Sequence, residues 1–142
     1  MIRLVRRHAR LAFWLYVPAL FLLTHWPGAQ VPMRGRPDLV VHTVIFGLWT
    51  ALAIAAGFFG SPLSFRNIGL CGLIGAAYSA IDEALQAIPF VRRHAAWDDW
   101  LANLTGVAAA AVGAIVLRLA LDAFGSARAR DAQPADGRDA SA

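Results

Sequence analysis

The chain has 142 residues, of which 58% are hydrophobic and only 15% charged. A soluble domain usually carries about 25% charged residues, so an ordinary water-facing surface is excluded and a bilayer is the expected solvent. The formal net charge of +4 comes from 13 basic residues, all of them arginine; they stand at the ends of apolar segments rather than in one patch, which excludes a nucleic-acid partner.

A mean hydropathy of +0.54 over the whole length points the same way. Cys71 is the only cysteine, so there is no intrachain disulfide and no cysteine-based metal cluster. It lies in an apolar, glycine-rich run and reads as a packing residue.

A transmembrane helix needs about 20 mainly apolar residues. Residues 11–26, LAFWLYVPALFLLTHW, form the first candidate, with Pro18 expected to kink it. A secretory signal peptide is the competing reading, since Arg3, Arg6, Arg7 and Arg10 precede a short apolar core. No small-x-small cleavage site follows, and a retained helix is the better reading. Residues 27–38, with three prolines and two glycines, form a loop. Residues 39–59 are the clearest span, broken by Gly60-Ser61-Pro62. A third span covers 68–88 and meets Asp82, Glu83 and Gln86 before its end. Residues 89–98 form a polar loop with Arg92, Arg93 and His94. A fourth span covers 99–121. The expected fold is thus an all-α membrane protein: a four-transmembrane-helix bundle over 1–124, with a disordered cytoplasmic tail over 125–142.

Arginine counts set the expected orientation. Arg3, Arg6, Arg7, Arg10, Arg66, Arg118, Arg128, Arg130 and Arg138 would share one side, nine in all; Arg34, Arg36, Arg92 and Arg93 would share the other. Both termini are therefore expected in the cytoplasm of a bacterial inner membrane. Trp26, Trp97 and Trp100 fall at the outward boundary, where aromatic belts belong.

That topology gathers the polar residues at one end. Asp38 and His42 are four apart at the start of helix two and share a face. Glu83 and Gln86 are three apart near the end of helix three. Asp99 and Asn103 are four apart at the start of helix four, and Arg93 lies in the preceding loop. A charge at the bilayer centre costs roughly 2.5–3.5 kcal/mol on insertion scales, so such groups should face the bundle interior and pair. Arg93 is the expected bidentate partner of Glu83 or Asp99. Gly69, Gly72, Ala76 and Ser79 on helix three, and Gly106, Ala110 and Gly113 on helix four, mark expected close-packing stripes.

The pattern Asp38-x3-His42-x3-Phe46, then Glu83-x2-Gln86, then Arg93-x5-Asp99-x3-Asn103-x2-Gly106, resembles the VanZ-like family. The segment LFLLTHWPG resembles the end of that family's first helix. The resemblance covers residues 20–113. Two positions depart from it: Leu39 stands where the family often has lysine, and Phe46 where it often has tyrosine. The resemblance implies four transmembrane helices and a loose link to the cell envelope, since the founding member is associated with low-level teicoplanin resistance. It implies no particular reaction.

Each polar residue has a chemical and a structural reading. His42 beside Asp38 is a candidate general base whose tautomer the carboxylate would fix; it is equally a helix-bridging hydrogen bond. Asp82 and Glu83 point about 100° apart and cannot form a catalytic dyad. Asp82 is therefore read as a helix-end or headgroup residue, and Glu83 as the site residue, sharing a face with Gln86. Asp98 reads as a helix cap, whereas Asp99 is in register with Asn103 and Gly106. Arg92 and Arg93 suit phosphate or lipid headgroups. Oxygen and imidazole groups at 38, 42, 83 and 99 could in principle take a divalent cation, but no compact metal motif is present. No nucleotide loop, serine nucleophile motif or dinucleotide fingerprint occurs, and no cofactor is implied.

Three functions stay open on the sequence. The first is an envelope protein whose outward pocket binds a lipid-linked or peptidoglycan-related ligand, with His42 and Glu83 as the candidate catalytic pair and Asp38, Gln86, Arg93, Asp99 and Asn103 as binding residues. The second is a structural or partner-binding membrane protein whose polar cluster only locks helix packing. The third is a small transporter subunit, disfavoured because the polar residues cluster at one end.

Overall fold

A computed structural model describes residues 2–25, 37–86, 88 and 96–131. Four helices follow one another: α1 (Ile2–His25), α2 (Pro37–Ala56), α3 (Phe65–Gln86) and α4 (Trp97–Asp131). Three of them, α2, α3 and α4, are long and apolar enough to cross a membrane. Arg93, Trp26 and residues 132–142 of the expected tail lie outside the described residues.

The helix limits differ from the sequence expectation in all four helices, and four of the differences have a local reason. α1 begins at Ile2 rather than at residue 11, because its arginines are good helix formers and continue the apolar segment without a new nucleus. α2 starts at Pro37, where proline's fixed φ suits the first helical position and its missing N–H costs nothing. It ends at Ala56 rather than 59, since Gly57 adopts a φ of 61°, the left-handed cap that glycine takes most readily. α4 runs to Asp131, not Leu121. Residues 125–131, expected as the start of a disordered tail, are helical; their alanines and arginines extend a helix already formed.

α2 is the central helix: it and α3 each touch all three others among the described residues, and α2 makes the more extensive contacts. Its closest partner is α4, while α1 packs on α2 and to a lesser degree on α3. An apolar circumference suits a helix surrounded in this way. The core lies around α2, with Phe46 and Ala56 fully buried and Trp49, Ala53 and Ile54 nearly so. Phe13 of α1 packs edge-on against Trp49 at 5.1 Å and against Phe58 at 5.1 Å. Trp49 in turn stacks on Tyr78 of α3 at 5.5 Å. Cys71 is buried in this same core.

Two glycines make close approaches, Gly106 of the expected helix-four stripe and Gly75, which neither expected stripe included. A Cβ on Gly106 would run into the carbonyl of Thr43 and the amide of Gly47, so α2 and α4 cross backbone to backbone there. A Cβ on Gly75 would sit 2.9 Å from Thr50 Oγ1 and 3.3 Å from the Trp49 ring. Gly69 and Gly113 meet nothing within 4 Å and take no part in tight packing; that part of the stripe expectation is corrected.

Large apolar side chains cover the outside. Leu11, Trp14, Leu15, Leu22 and Leu23 of α1 are exposed, as are Val112, Val116, Leu117 and Leu119 of α4. Only 11% of the α4 span is buried in the bundle. These exposed apolar side chains suit three helices that are long and apolar enough to cross a membrane.

The two ends of the bundle carry different chemistry. At one end, arginines satisfy the carbonyls left open where α2 stops. Arg6 donates to the carbonyl oxygens of Gly57 at 2.8 Å and Gly60 at 3.2 Å. Arg10 donates through Nε to Ala56 at 3.0 Å. Asn67 ties down the turn, donating to the carbonyls of Ile54 and Pro62 and accepting from the amide of Phe59. Arg118 donates to Leu63 at 2.8 Å and lies over the Phe65 ring. The opposite end holds histidines, carboxylates and amides.

Candidate functional site

The polar end draws on every helix. α1 contributes Thr24 and His25, α2 His42, α3 Asp82, Glu83 and Gln86, and α4 Asp99 and Asn103. Of these, Thr24, His42, Asp82, Glu83, Gln86 and Asn103 are buried. α3 runs between α1 and α4, so the 100° turn between Asp82 and Glu83 sends one side chain toward each neighbour. The cluster accordingly divides into two halves.

The first half joins α1 to α3. The Thr24 hydroxyl donates to Asp82 Oδ1 at 3.0 Å, and Gln86 Nε2 donates to Asp82 Oδ2 at 3.0 Å. Both carboxylate oxygens of Asp82 are thus satisfied, with the residue 1% exposed. His25 Nδ1 lies 2.9 Å from Thr24 Oγ1 and 3.7 Å from Asp82 Oδ1. Its ring stacks on Phe21 at 4.2 Å, so a chain His25–Thr24–Asp82–Gln86 crosses the bundle. A buried carboxylate this fully hydrogen-bonded is a helix lock.

Asp82 corrects the sequence reading, which put it at the headgroups or at a helix end and left it out of the site. The argument that adjacent residues cannot share a face holds; it fails to exclude Asp82 because α3 has polar partners on two sides. Thr24 and His25 were missed altogether. The available signal was a threonine and a histidine at the end of an apolar segment, where buried polar side chains need hydrogen-bond partners within the bundle.

The second half joins α2, α3 and α4. His42 Nδ1 meets Asn103 Oδ1 at 3.0 Å, and His42 Nε2 lies 3.8 Å from Asp99 Oδ2. With the Asn103 oxygen as acceptor, Nδ1 carries the proton. The expected pairing of His42 with Asp38 is replaced by this bond across to α4. Asp38 instead occupies the first turn of α2, where a carboxylate is favoured by the helix dipole. Gln86, expected to work with Glu83, is engaged with Asp82.

Glu83 reaches from α3 to the start of α4. Its Oε1 accepts the backbone N–H of Ala96 at 2.6 Å, a carboxylate at the positive end of a helix. Its Oε2 is buried and, among the described residues, has no hydrogen-bond partner, although Glu83 is only 7% exposed. The indole Nε1 of Trp100 and Nδ2 of Asn103 are likewise buried without a partner among the described residues. Buried polar atoms left in this condition are costly, about 1–3 kcal/mol each, and call for an explanation.

Glu83 and Trp100 line the same groove, together with Ala80, Ala84, Ala96 and Trp97. Its volume is about 360 Å³. Trp97 and Trp100 meet edge to face at 5.5 Å along one wall. Ala80, Ala84 and Trp97 are exposed on the outside of the bundle, so the groove opens sideways between α3 and α4. No three of the described His, Cys, Asp and Glu side chains are grouped to hold a metal ion.

Comparison with family models, with curated proteins and with solved structures gave no match.

Proposed function

We propose that this chain is a VanZ-like, multi-pass protein of the bacterial inner membrane, and that its polar end binds the headgroup of a lipid-linked ligand of the cell envelope. The observation that carries the reading is Glu83: a carboxylate 93% removed from solvent, with one oxygen fixed on the start of α4 and the other buried without a partner among the described residues, in a residue that lines a groove open to the side. A group that served packing alone would have both oxygens engaged, as Asp82 does.

In this reading all four helices span and both termini are cytoplasmic. α1 supports a fourth span through its two faces: Phe13 and Leu20 are buried in the bundle while Leu11, Leu15, Leu22 and Leu23 face outward. The arginine end, with Arg6, Arg10, Arg66 and Arg118, is then the cytoplasmic end. The groove, with Trp97 and Trp100 at its mouth, lies at the outer interface. A lipid enters it laterally, headgroup at Glu83 and tails along the apolar flank of α3 and α4.

His42 is the candidate proton carrier. Asn103 fixes its ring, and Asp99 stands by the other nitrogen. Acid–base chemistry by His42 and Glu83 on a bound envelope precursor follows from this arrangement as the enzymatic form of the proposal. A purely structural role is favoured by a specific observation for one half of the cluster only, the saturated Thr24–Asp82–Gln86 lock.

The test compares Glu83→Gln with wild type for protein level and thermal stability, and scores envelope stress and teicoplanin sensitivity in the same strains. The proposal expects stability to hold and the phenotype to be lost. Stability collapsing together with phenotype would sink it, and would leave the whole cluster as a packing device.

A further inference from the structure

The groove at Glu83 carries more information than its position. Resting on the reading of this groove as a ligand site, we infer that its ligand presents hydroxyl groups, as a polyol or sugar headgroup does, at the unpartnered Glu83 Oε2 and Trp100 Nε1.

Glu83 and Trp100 both line the groove, and each carries one buried polar atom without a partner among the described residues; the two atoms are of different kinds. The indole Nε1–H of Trp100 can only donate. Glu83 Oε2 accepts when the carboxylate is ionised and can donate when it carries a proton. An ammonium headgroup has no acceptor and leaves the indole unsatisfied. A bare phosphate satisfies the indole but is repelled by the carboxylate. A hydroxyl both donates and accepts, so vicinal hydroxyls answer both atoms whatever the protonation state of Glu83.

The apolar part of the lining agrees. Trp97 and Trp100 present aromatic surface along one wall, and Ala80 and Ala84 leave the opposite side low. Sugar rings and glycerol carry C–H faces between their hydroxyls, which such a wall can cover while the rim bonds the oxygens. The volume of about 360 Å³ falls at the small end of the usual ligand-pocket range of roughly 300–1,000 Å³.

The experiment uses the full chain in lauryldimethylamine oxide micelles, a detergent without sugar or hydroxyl groups. Monoglucosyl diacylglycerol, phosphatidylglycerol, phosphatidylethanolamine and phosphatidylcholine are added in turn, and binding is read by thermal shift and by native mass spectrometry. The hydroxyl-bearing lipids are expected to bind and stabilise, and the other two are not. Trp100→Phe, which removes the indole donor, is expected to weaken that binding about ten-fold, the worth of one hydrogen bond, with the lipid-free melting temperature kept; Glu83→Gln, whose amide can still meet a hydroxyl, is expected to weaken it by less. Binding of both hydroxyl lipids assigns the site to a glycerol-type diol, and binding of the glucosyl lipid alone assigns it to a sugar ring. Phosphatidylethanolamine binding through Glu83 while the hydroxyl lipids fail would overturn the hydroxyl inference and leave the groove as a site. No lipid binding, or binding unchanged in both variants, would overturn the inference and the proposed function together. Should Glu83→Gln not fold, Trp100→Phe alone decides.

Discussion

The hydroxyl of Thr24 on α1 bonds Asp82 on α3 over 3.0 Å, at a depth where both residues are all but sealed from solvent. His25 Nδ1 stands beside it, 3.7 Å from Asp82 Oδ1, while most of α1 rests on α2. Replacing Thr24 by valine keeps the shape and removes the donor, leaving a buried carboxylate oxygen under-bonded. A loss of about 1–3 kcal/mol is expected. Thermal unfolding in detergent measures it, and Asp82→Asn should cost a similar amount because Gln86 and Thr24 both donate to that carboxylate. An unchanged melting temperature in both variants would remove the lock from the account.

The crossing of α2 and α4 depends on a position with no side chain. Gly106→Ala forces a methyl group against the Thr43 carbonyl and the Gly47 amide. Neither neighbour is a flexible side-chain end, so the helices must separate, at a cost of about 1–3 kcal/mol or more. Gly113→Ala, seven residues further along α4 with nothing within 4 Å, should be neutral or slightly stabilising through helix propensity. Equal effects of the two substitutions on stability would contradict this packing.

His42 has a choice of partners that a double-mutant cycle can read. The geometry pairs it with Asn103 on α4. His42→Ala and Asn103→Ala should show a coupling of about 0.5–3 kcal/mol in unfolding free energy. The same cycle between His42 and Asp38 should give a value near zero. A larger coupling to Asp38 would restore the sequence expectation.

At the other end, Arg10 closes the terminus of α2 through two carbonyls, Ala56 at 3.0 Å and Gly57 at 3.4 Å. Arg10→Met should lower the melting temperature by an amount corresponding to about 1 kcal/mol, since the pair is partly exposed and screened. Arg10→Lys should recover only part of this, because a single ammonium cannot reproduce the guanidinium fork. Full recovery by lysine would reduce the role of Arg10 to its charge.

The apolar framework was legible because three segments of the sequence are long and apolar, and length alone identifies such helices. What escaped were the features decided by neighbours. The arginines before residue 11 look like a flanking tail until their partners appear, the carbonyls beyond Ala56. The site was half legible. Glu83, Asp99, Asn103 and His42 were singled out by spacing along single helices, whereas the hydrogen bonds of the polar end cross between helices, where spacing along one helix has no purchase. Asp82 shows the cost: a rule about one helix face was applied to a helix with polar partners on two sides. Arg93 falls outside the described residues, so its expected pairing with Glu83 or Asp99 stays a matter of sequence alone.

Asp82 and Glu83 are separated by one peptide bond and answer to different requirements. The first is saturated within the bundle; the second has one oxygen without a partner among the described residues. A mutational library screened only for folded protein should therefore keep position 82 nearly fixed and let position 83 drift among residues that still accept the Ala96 amide. The same library screened for survival under envelope stress should fix both. On the proposed function, two neighbouring letters of the sequence would thus separate what this protein needs in order to exist from what it needs in order to act.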